Sequence, residues 1–236
     1  MAIYVTSDLH GLPLQELLRL LDKVGFGETD WLFILGDVID RQNDGGVEIL
    51  RWLLCQPNAQ LVLGNHEAML LSCGFLFEEI TEESVAGFDA DKVELWQNYQ
   101  QNGGDVTLRA LSALRKTNPE AVTDILDYLR EVPLYEQVEA GGRAFLLVHA
   151  GLGNFAPDKP LSAYTADELL WAWPEGDTVY YNRVLTVFGH TPTLAFGPEH
   201  KGKILRTRTW IDVDVGVPYG NPPALLRLDD LQEFYA

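Results

Sequence analysis

The feature that most constrains this chain is a strand that runs into carboxylates. Residues 31–35, Trp-Leu-Phe-Ile-Leu, form an apolar run of strand length and open directly into Gly36-Asp37-Val38-Ile39-Asp40-Arg41. Crowding or burying carboxylates is costly unless cations or hydrogen bonds compensate. A strand-end turn with a surface Asp40–Arg41 pair would explain this stretch if it stood alone. It does not stand alone. Residues 3–6 end in Ser7-Asp8-Leu9-His10-Gly11, and residues 60–63 end in Gly64-Asn65-His66-Glu67. Residues 144–148 end in His149-Ala150-Gly151, and residues 185–188 in Gly189-His190-Thr191-Pro192. An apolar strand followed by oxygen or nitrogen donors thus occurs five times. Asp8 and His10, two residues apart in extended backbone, point to one side.

Between these blocks the pattern switches to helical spacing. Pro13 opens a helix with Leu14, Leu17, Leu18 and Leu21 on one stripe, ended by Gly25 and Gly27. Asp44 is placed to cap a helix running to Cys55, and a further helix is expected over 68–77. Residues 78–130 read as a helical insertion, with helices over 96–115 and 120–130 broken by Gly103-Gly104 and Asn118-Pro119. Short strands are expected within 131–140 and over 204–208, 210–213 and 224–228, with a short helix over 166–173. The expected fold is α/β, a single domain over 1–236. Two packed mixed sheets are flanked by helices, and the insertion lies at about 78–130. Ligands in such sheets gather at the carboxyl ends of strands, where all five blocks sit.

The chain has 236 residues, 47% hydrophobic, enough for one large core. Its net charge of -18 repels polyanions, so neither nucleic acid nor an anionic membrane is expected as a partner. No run approaches the roughly 20 apolar residues of a membrane span, and the N-terminus lacks a signal-peptide pattern. Cys55 and Cys73 have no metal-type spacing and are read as buried thiols of a reducing, cytoplasmic compartment.

The strand-end donors are Asp8, His10, Asp37, Asn65, His149 and His190. A mixed Asp/His/Asn set without thiolate suits Mn²⁺, Fe or Zn²⁺. Six donors exceed what one open catalytic ion takes, and suit two divalent ions sharing a carboxylate. Two such ions, about 3.5–4 Å apart, clamp a phosphoryl group and acidify water between them. His200 lies in a polar loop and is read as an exposed non-ligand.

The five blocks, taken in order, resemble the phosphoprotein phosphatase family of metallophosphoesterases. Asn102-Gly103-Gly104 followed by Thr107-Leu108 is similar to its bacterial and phage-type branch. The resemblance implies a calcineurin-like sandwich. It implies one ion on Asp8, His10 and Asp37, and a second on Asp37, Asn65, His149 and His190, with Mn²⁺ the expected metal. It makes His66 the proton donor to the leaving oxygen, Asp40 its orienting partner and Arg41 the phosphate ligand. Water activated by the ions attacks in line. The expected function is hydrolysis of phosphate monoesters by a Ser/Thr protein phosphatase, so the partner is a phosphorylated protein. The alternatives are hydrolysis of a dinucleoside polyphosphate or other small phosphoester, and a non-catalytic binding module on the same scaffold. Two departures stand out. Gln42-Asn43 follows Arg41 where the family continues with glycine. In Leu170-Trp171-Ala172-Trp173-Pro174 a tryptophan stands where the branch carries a second phosphate-binding arginine, leaving either Arg183, Arg206 or Arg208 to substitute or a site that holds phosphate more weakly. Trp171 and Trp173 are read as packing residues, with substrate stacking the alternative.

Overall fold

The computed structural model describes residues 1–236, the side chain of Glu83 excepted. Strands β1 (Ile3–Thr6), β2 (Trp31–Ile34) and β3 (Ala59–Leu61) run parallel and in register, Val5 beside Phe33 and Ile34 beside Leu61. They are buried almost throughout, as parallel strands between covering layers must be. Helices α1 (Leu14–Lys23) and α2 (Val47–Leu53) form the two crossovers, and α3 (Asn65–Ser72) leaves the third strand. β9 (Ala224–Arg227) and β10 (Gln232–Tyr235) extend this sheet antiparallel on the far side of β1, giving the order β10-β9-β1-β2-β3.

The second sheet comprises β4 (Tyr135–Ala140), β5 (Arg143–Val148), β6 (Val184–Phe188), β7 (Leu205–Arg206) and β8 (Trp210–Asp212). Its order is β4-β5-β6-β8-β7, with β5, β6 and β8 mutually parallel. Val5, Leu32 and Ile34 of the first sheet share one core with Phe145, Leu147, Val187 and Ile211 of the second. The expected α/β architecture of two mixed sheets flanked by helices is thus the observed one.

Helices α4 (Glu82–Ala86), α5 (Ala90–Gln101), α6 (Asp105–Thr117) and α7 (Pro119–Glu131) occupy the middle of the chain. The break between α5 and α6 falls at Gly103, whose φ of +95° suits glycine. Asn118 caps α7, its side chain accepting from Ala121 N, with Pro119 at the first helical position. α7 buries Val122, Ile125, Leu126 and Leu129, a regular helical stripe. α8 (Ala166–Leu170) precedes β6. Among the described residues no helix is long and apolar enough to cross a membrane.

Three local expectations need correction. α3 begins at Asn65, three residues before the expected start, because Glu67 turns its carboxylate back onto Gly64 N at 3.1 Å. Cys55 is exposed, in the turn that follows α2, and only Cys73 is buried. β10 was not expected, since Gln232-Glu233 opens it with a polar pair.

Candidate metal centre

The loops after β1 and β2 run side by side. Asp8 N donates to Gly36 O at 3.1 Å, His10 N to Asp37 O at 2.9 Å and Gly11 N to Val38 O at 2.8 Å. The two sheets are stitched at the same place, where His190 N donates to Asp8 Oδ2 at 2.9 Å and His149 Nδ1 lies 2.7 Å from Leu35 O. All six donors read from the sequence, together with Asp40, Arg41 and His66, are brought to this one edge. Close approach sets the glycines. A Cβ on Gly36 would lie 2.6 Å from His149 Nδ1, and one on Gly64 would lie 2.3 Å from Asp37 Oδ1. The backbone is strained here as well. Asp8, His10, Asp37, Asp40, Arg41 and His190 all have positive φ, between 41° and 77°. Such residues cost of order 1–3 kcal/mol each and gather at functional sites.

The chemistry of the donors fits divalent cations. His149 Nδ1 lies 2.7 Å from Leu35 O and His10 Nδ1 lies 3.0 Å from Ile39 O, so in each ring Nδ1–H donates to a carbonyl. That leaves both Nε2 lone pairs facing inward. The lone pair of His149 points at Asn65 Oδ1 at 2.8 Å and at His190 Nδ1 at 3.2 Å. The lone pair of His10 points at Asp37 Oδ2, 3.6 Å away. Acceptors aimed at acceptors in a dry site repel unless a cation lies between them. Burial, then His149, pulls His190 down to about 2, and burial with His66 holds His10 well below its ordinary range, so both rings are neutral. Burial, opposed by His66 but reinforced by Asp8 and Glu67, raises Asp37. The ligand atoms form two groups, His10–Asp37–His66 and Asp37–His149–His190, each within 4.8 Å.

His66 belongs to the first group but differs from the other rings. Its Nδ1 bonds Asp40 Oδ2 at 2.7 Å, and its Nε2 lies 3.1 Å from Arg41 Nη2, a donor. A guanidinium on that lone pair leaves no place for an ion there. Burial lowers the His66 pKa, but the charge of Asp37 and the hydrogen bond and charge of Asp40 outweigh it, so the net shift is upward. Asp40 is fixed from the helical segment. Tyr99 Oη and Thr107 Oγ1 each donate to Asp40 Oδ1 at 2.6 Å, and Arg41 N donates to Gly103 O at 3.0 Å. Burial, with Asp40 next to it, pushes the Tyr99 phenol well up, so it stays a donor. Among the described residues this segment adds nothing to either ligand group, yet it braces the His66–Asp40 pair.

The sequence did not single out Glu67. Its carboxylate accepts from Asp37 N at 2.8 Å, Val38 N at 2.9 Å, Ile39 N at 3.2 Å and Gly64 N at 3.1 Å, all buried. Glu67→Ala would strand these donors at about 1–3 kcal/mol each, against a typical domain stability of about 5–15 kcal/mol. Urea denaturation should therefore register a loss of several kcal/mol. A loss below about 1 kcal/mol would mean that water replaces the carboxylate.

Asp212 and Asp214 were missed too, although Trp210-Ile211-Asp212-Val213-Asp214 repeats the strand-then-donor pattern. Both are buried, and Asp214 lines the cleft. Burial, then Asp214, raises Asp212, and burial, then Asp8, raises Asp214. The packing reading of Trp171 and Trp173 is corrected: they are 44% and 60% exposed and form part of the cleft wall. None of Arg183, Arg206 and Arg208 reaches the cleft. Arg206 pairs with Glu233 at 2.6 Å, while Arg183 and Arg208 line a separate pocket with Arg143. His200 is half-buried beside Glu199 and joins neither ligand group.

Comparison with known proteins identifies the family. The calcineurin-like phosphoesterase family model matches residues 1–216. The chain belongs to that family, whose members act with divalent metals. The symmetrical bis(5'-nucleosyl)-tetraphosphatase of Acidovorax sp. (strain JS42) is 26% identical over 86% of this chain and 61% of its own length. The enzyme of the same name from Pasteurella multocida (strain Pm70) is 29% identical over 81% and 58%. The chain therefore spans about three-fifths of the length of these relatives. A solved structure provisionally described as a diadenosine tetraphosphatase superposes with a TM-score of 0.64 at 18% identity, covering 100% of this chain and 92% of that one. A serine/threonine phosphatase from Saccharomyces cerevisiae follows at 0.56 and 16%, covering 97% and 73%. At these identities the structures establish a shared fold.

Proposed function

We propose that this chain hydrolyses dinucleoside polyphosphates, cutting a phosphoanhydride bond with water at a centre of two divalent ions, Mn²⁺ first among them and Fe or Zn²⁺ as alternatives. The observation that carries the chemistry is the convergence of inward-facing lone pairs and the Asp37 carboxylate beside the His66–Asp40 pair and Arg41. Asp8, His10 and Asp37 would hold one ion. Asp37, Asn65, His149 and His190 would hold the other, with Asp37 shared. Ions bound there would draw electron density from the phosphoryl oxygens and acidify water enough for attack near neutral pH.

The remaining steps belong to side chains. Arg41 swings from His66 Nε2 to a phosphate, where its planar fork matches two oxygens. That frees Nε2 to carry a proton. Asp40 holds Nδ1–H and stabilises the imidazolium, with Tyr99 and Thr107 keeping the carboxylate in place. As water bonds to phosphorus, the bridging P–O bond breaks and His66 gives its proton to the departing phosphate oxygen.

The curated relatives support the dinucleoside substrate over a phosphoprotein, and the likeness to the yeast phosphatase is one of fold alone. The cleft itself encloses about 140 Å³, room for a phosphoryl group. Metal-stripped protein, given back Mn²⁺, Zn²⁺ or Mg²⁺, should be assayed on a dinucleoside tetraphosphate, phosphopeptides, p-nitrophenyl phosphate and its bis-ester. The dinucleotide should give the highest kcat/KM, with Mn²⁺ most effective. Phosphopeptide hydrolysis without turnover of the dinucleotide would restore the protein phosphatase reading.

A further inference from the structure

Phosphoryl chemistry leaves one part of the cleft unused. Five large aromatic side chains are exposed among the described residues: Trp31, Phe88, Trp171, Trp173 and Tyr219. Three of the five, Trp171, Trp173 and Tyr219, line this one small cleft. Each exposed indole forfeits the burial of a large apolar surface. Packing alone does not bring three such rings to the mouth of a charged site.

Their placement follows from the local chain. α8 buries Leu169 and Leu170 and then stops. Beyond it burial alternates, with Ala172 and Pro174 inside and Trp171 and Trp173 outside. Both indoles stand edge-on to His190, with centroids 6.0 and 5.8 Å away and interplanar angles of 87° and 80°. Tyr219, 60% exposed, comes from a separate turn at Val217–Tyr219, held between Gly216 and Gly220 at positive φ and stiffened by Pro218. Electrostatics gives these rings work to do. Arg41 is the only Lys or Arg among the described residues of the cleft, on a chain of net charge -18. A polyphosphate thus meets one guanidinium, and further affinity must come from the uncharged part of the ligand.

We propose that Trp171, Trp173 and Tyr219 form a subsite that stacks a nucleobase of the substrate beside the phosphoryl centre. This rests on the nucleotide reading of the site. Stacking uses the π-face that every base has, so the subsite favours the larger purines and distinguishes adenine from guanine weakly.

Titration calorimetry on the full chain with Mn²⁺ present tests this, with AMP and ribose 5-phosphate as probes that differ only in the base. AMP should bind more tightly than ribose 5-phosphate. Aromatic–base stacking is worth about 1–3 kcal/mol per base, so Trp173→Ala should weaken AMP by about 5- to 150-fold. Trp171→Ala and Tyr219→Ala should weaken it as well, and Trp173→Phe should recover most of the loss. Ribose 5-phosphate should bind all of them alike. Equal affinity of the two probes for the unsubstituted chain, or an equal loss of both in Trp173→Ala, would overturn the subsite. The nucleotide reading fails by a different result, the absence of dinucleoside tetraphosphate turnover by the unsubstituted chain.

Discussion

His66→Asn is expected to slow hydrolysis of a dinucleoside tetraphosphate by about 10²-fold, with both ions still bound. General acid catalysis contributes about 10²–10⁴-fold, most where the leaving oxygen is most basic. A departing nucleotide phosphate is a weak base, with a second ionisation near pH 6, so the anhydride should show the smaller loss. Phenyl phosphate should show the larger one, because its phenol ionises near pH 10, as tyrosine does. p-Nitrophenyl phosphate, with its far more acidic phenol, should lose less than phenyl phosphate. Asparagine at this position retains a polar group but has no proton to give. Equal losses on both aryl esters would make His66 a positioning residue. Loss of metal would place it in the ligand shell, against the 3.1 Å contact that Arg41 makes with its Nε2.

The second large effect falls on Asp37→Asn, which should abolish turnover and release both ions together. Asp37 is the one residue common to both ligand groups. Its Oδ2 faces His10 Nε2 at 3.6 Å and its Oδ1 faces His149 Nε2 at 3.5 Å. An amide offers one neutral oxygen where a bridge needs two charged ones. The fold should survive, since Asp37 N remains bonded to Glu67 Oε2. Metal analysis by mass spectrometry and a far-ultraviolet spectrum would separate these effects. Two ions per chain with normal turnover would sink the shared-carboxylate assignment.

The sheets and the donors were legible in the sequence because both follow from short-range pattern. An apolar run of four or five residues can bury both faces only between covering layers, and the donors stand where such runs stop. The supports were not legible, because their partners are far along the chain. Tyr99 and Thr107 reach Asp40 across 59 and 67 residues, and no local spacing announces such contacts. Glu67 has the same difficulty, since Asp37 N, Val38 N and Ile39 N lie 30, 29 and 28 residues before it. Asp212 and Asp214 carried a readable signal, the same strand-then-carboxylate pattern as Asp37, but without a histidine beside it. The exposure of Trp171 and Trp173 depends on where α8 stops, at Leu170 rather than the expected 173. No rule of sequence anticipates the positive φ of His10, Arg41 or His190, which only the surrounding contacts enforce.

At the centre of this account are two ions on one shared carboxylate, and stoichiometry tests that directly. Mn²⁺ should be titrated into stripped protein while bound metal and dinucleoside tetraphosphate turnover are followed in the same samples. Binding should saturate at two ions per chain, and turnover should reach its maximum only as the second site fills. Full turnover at one ion per chain would contradict the two-ion centre.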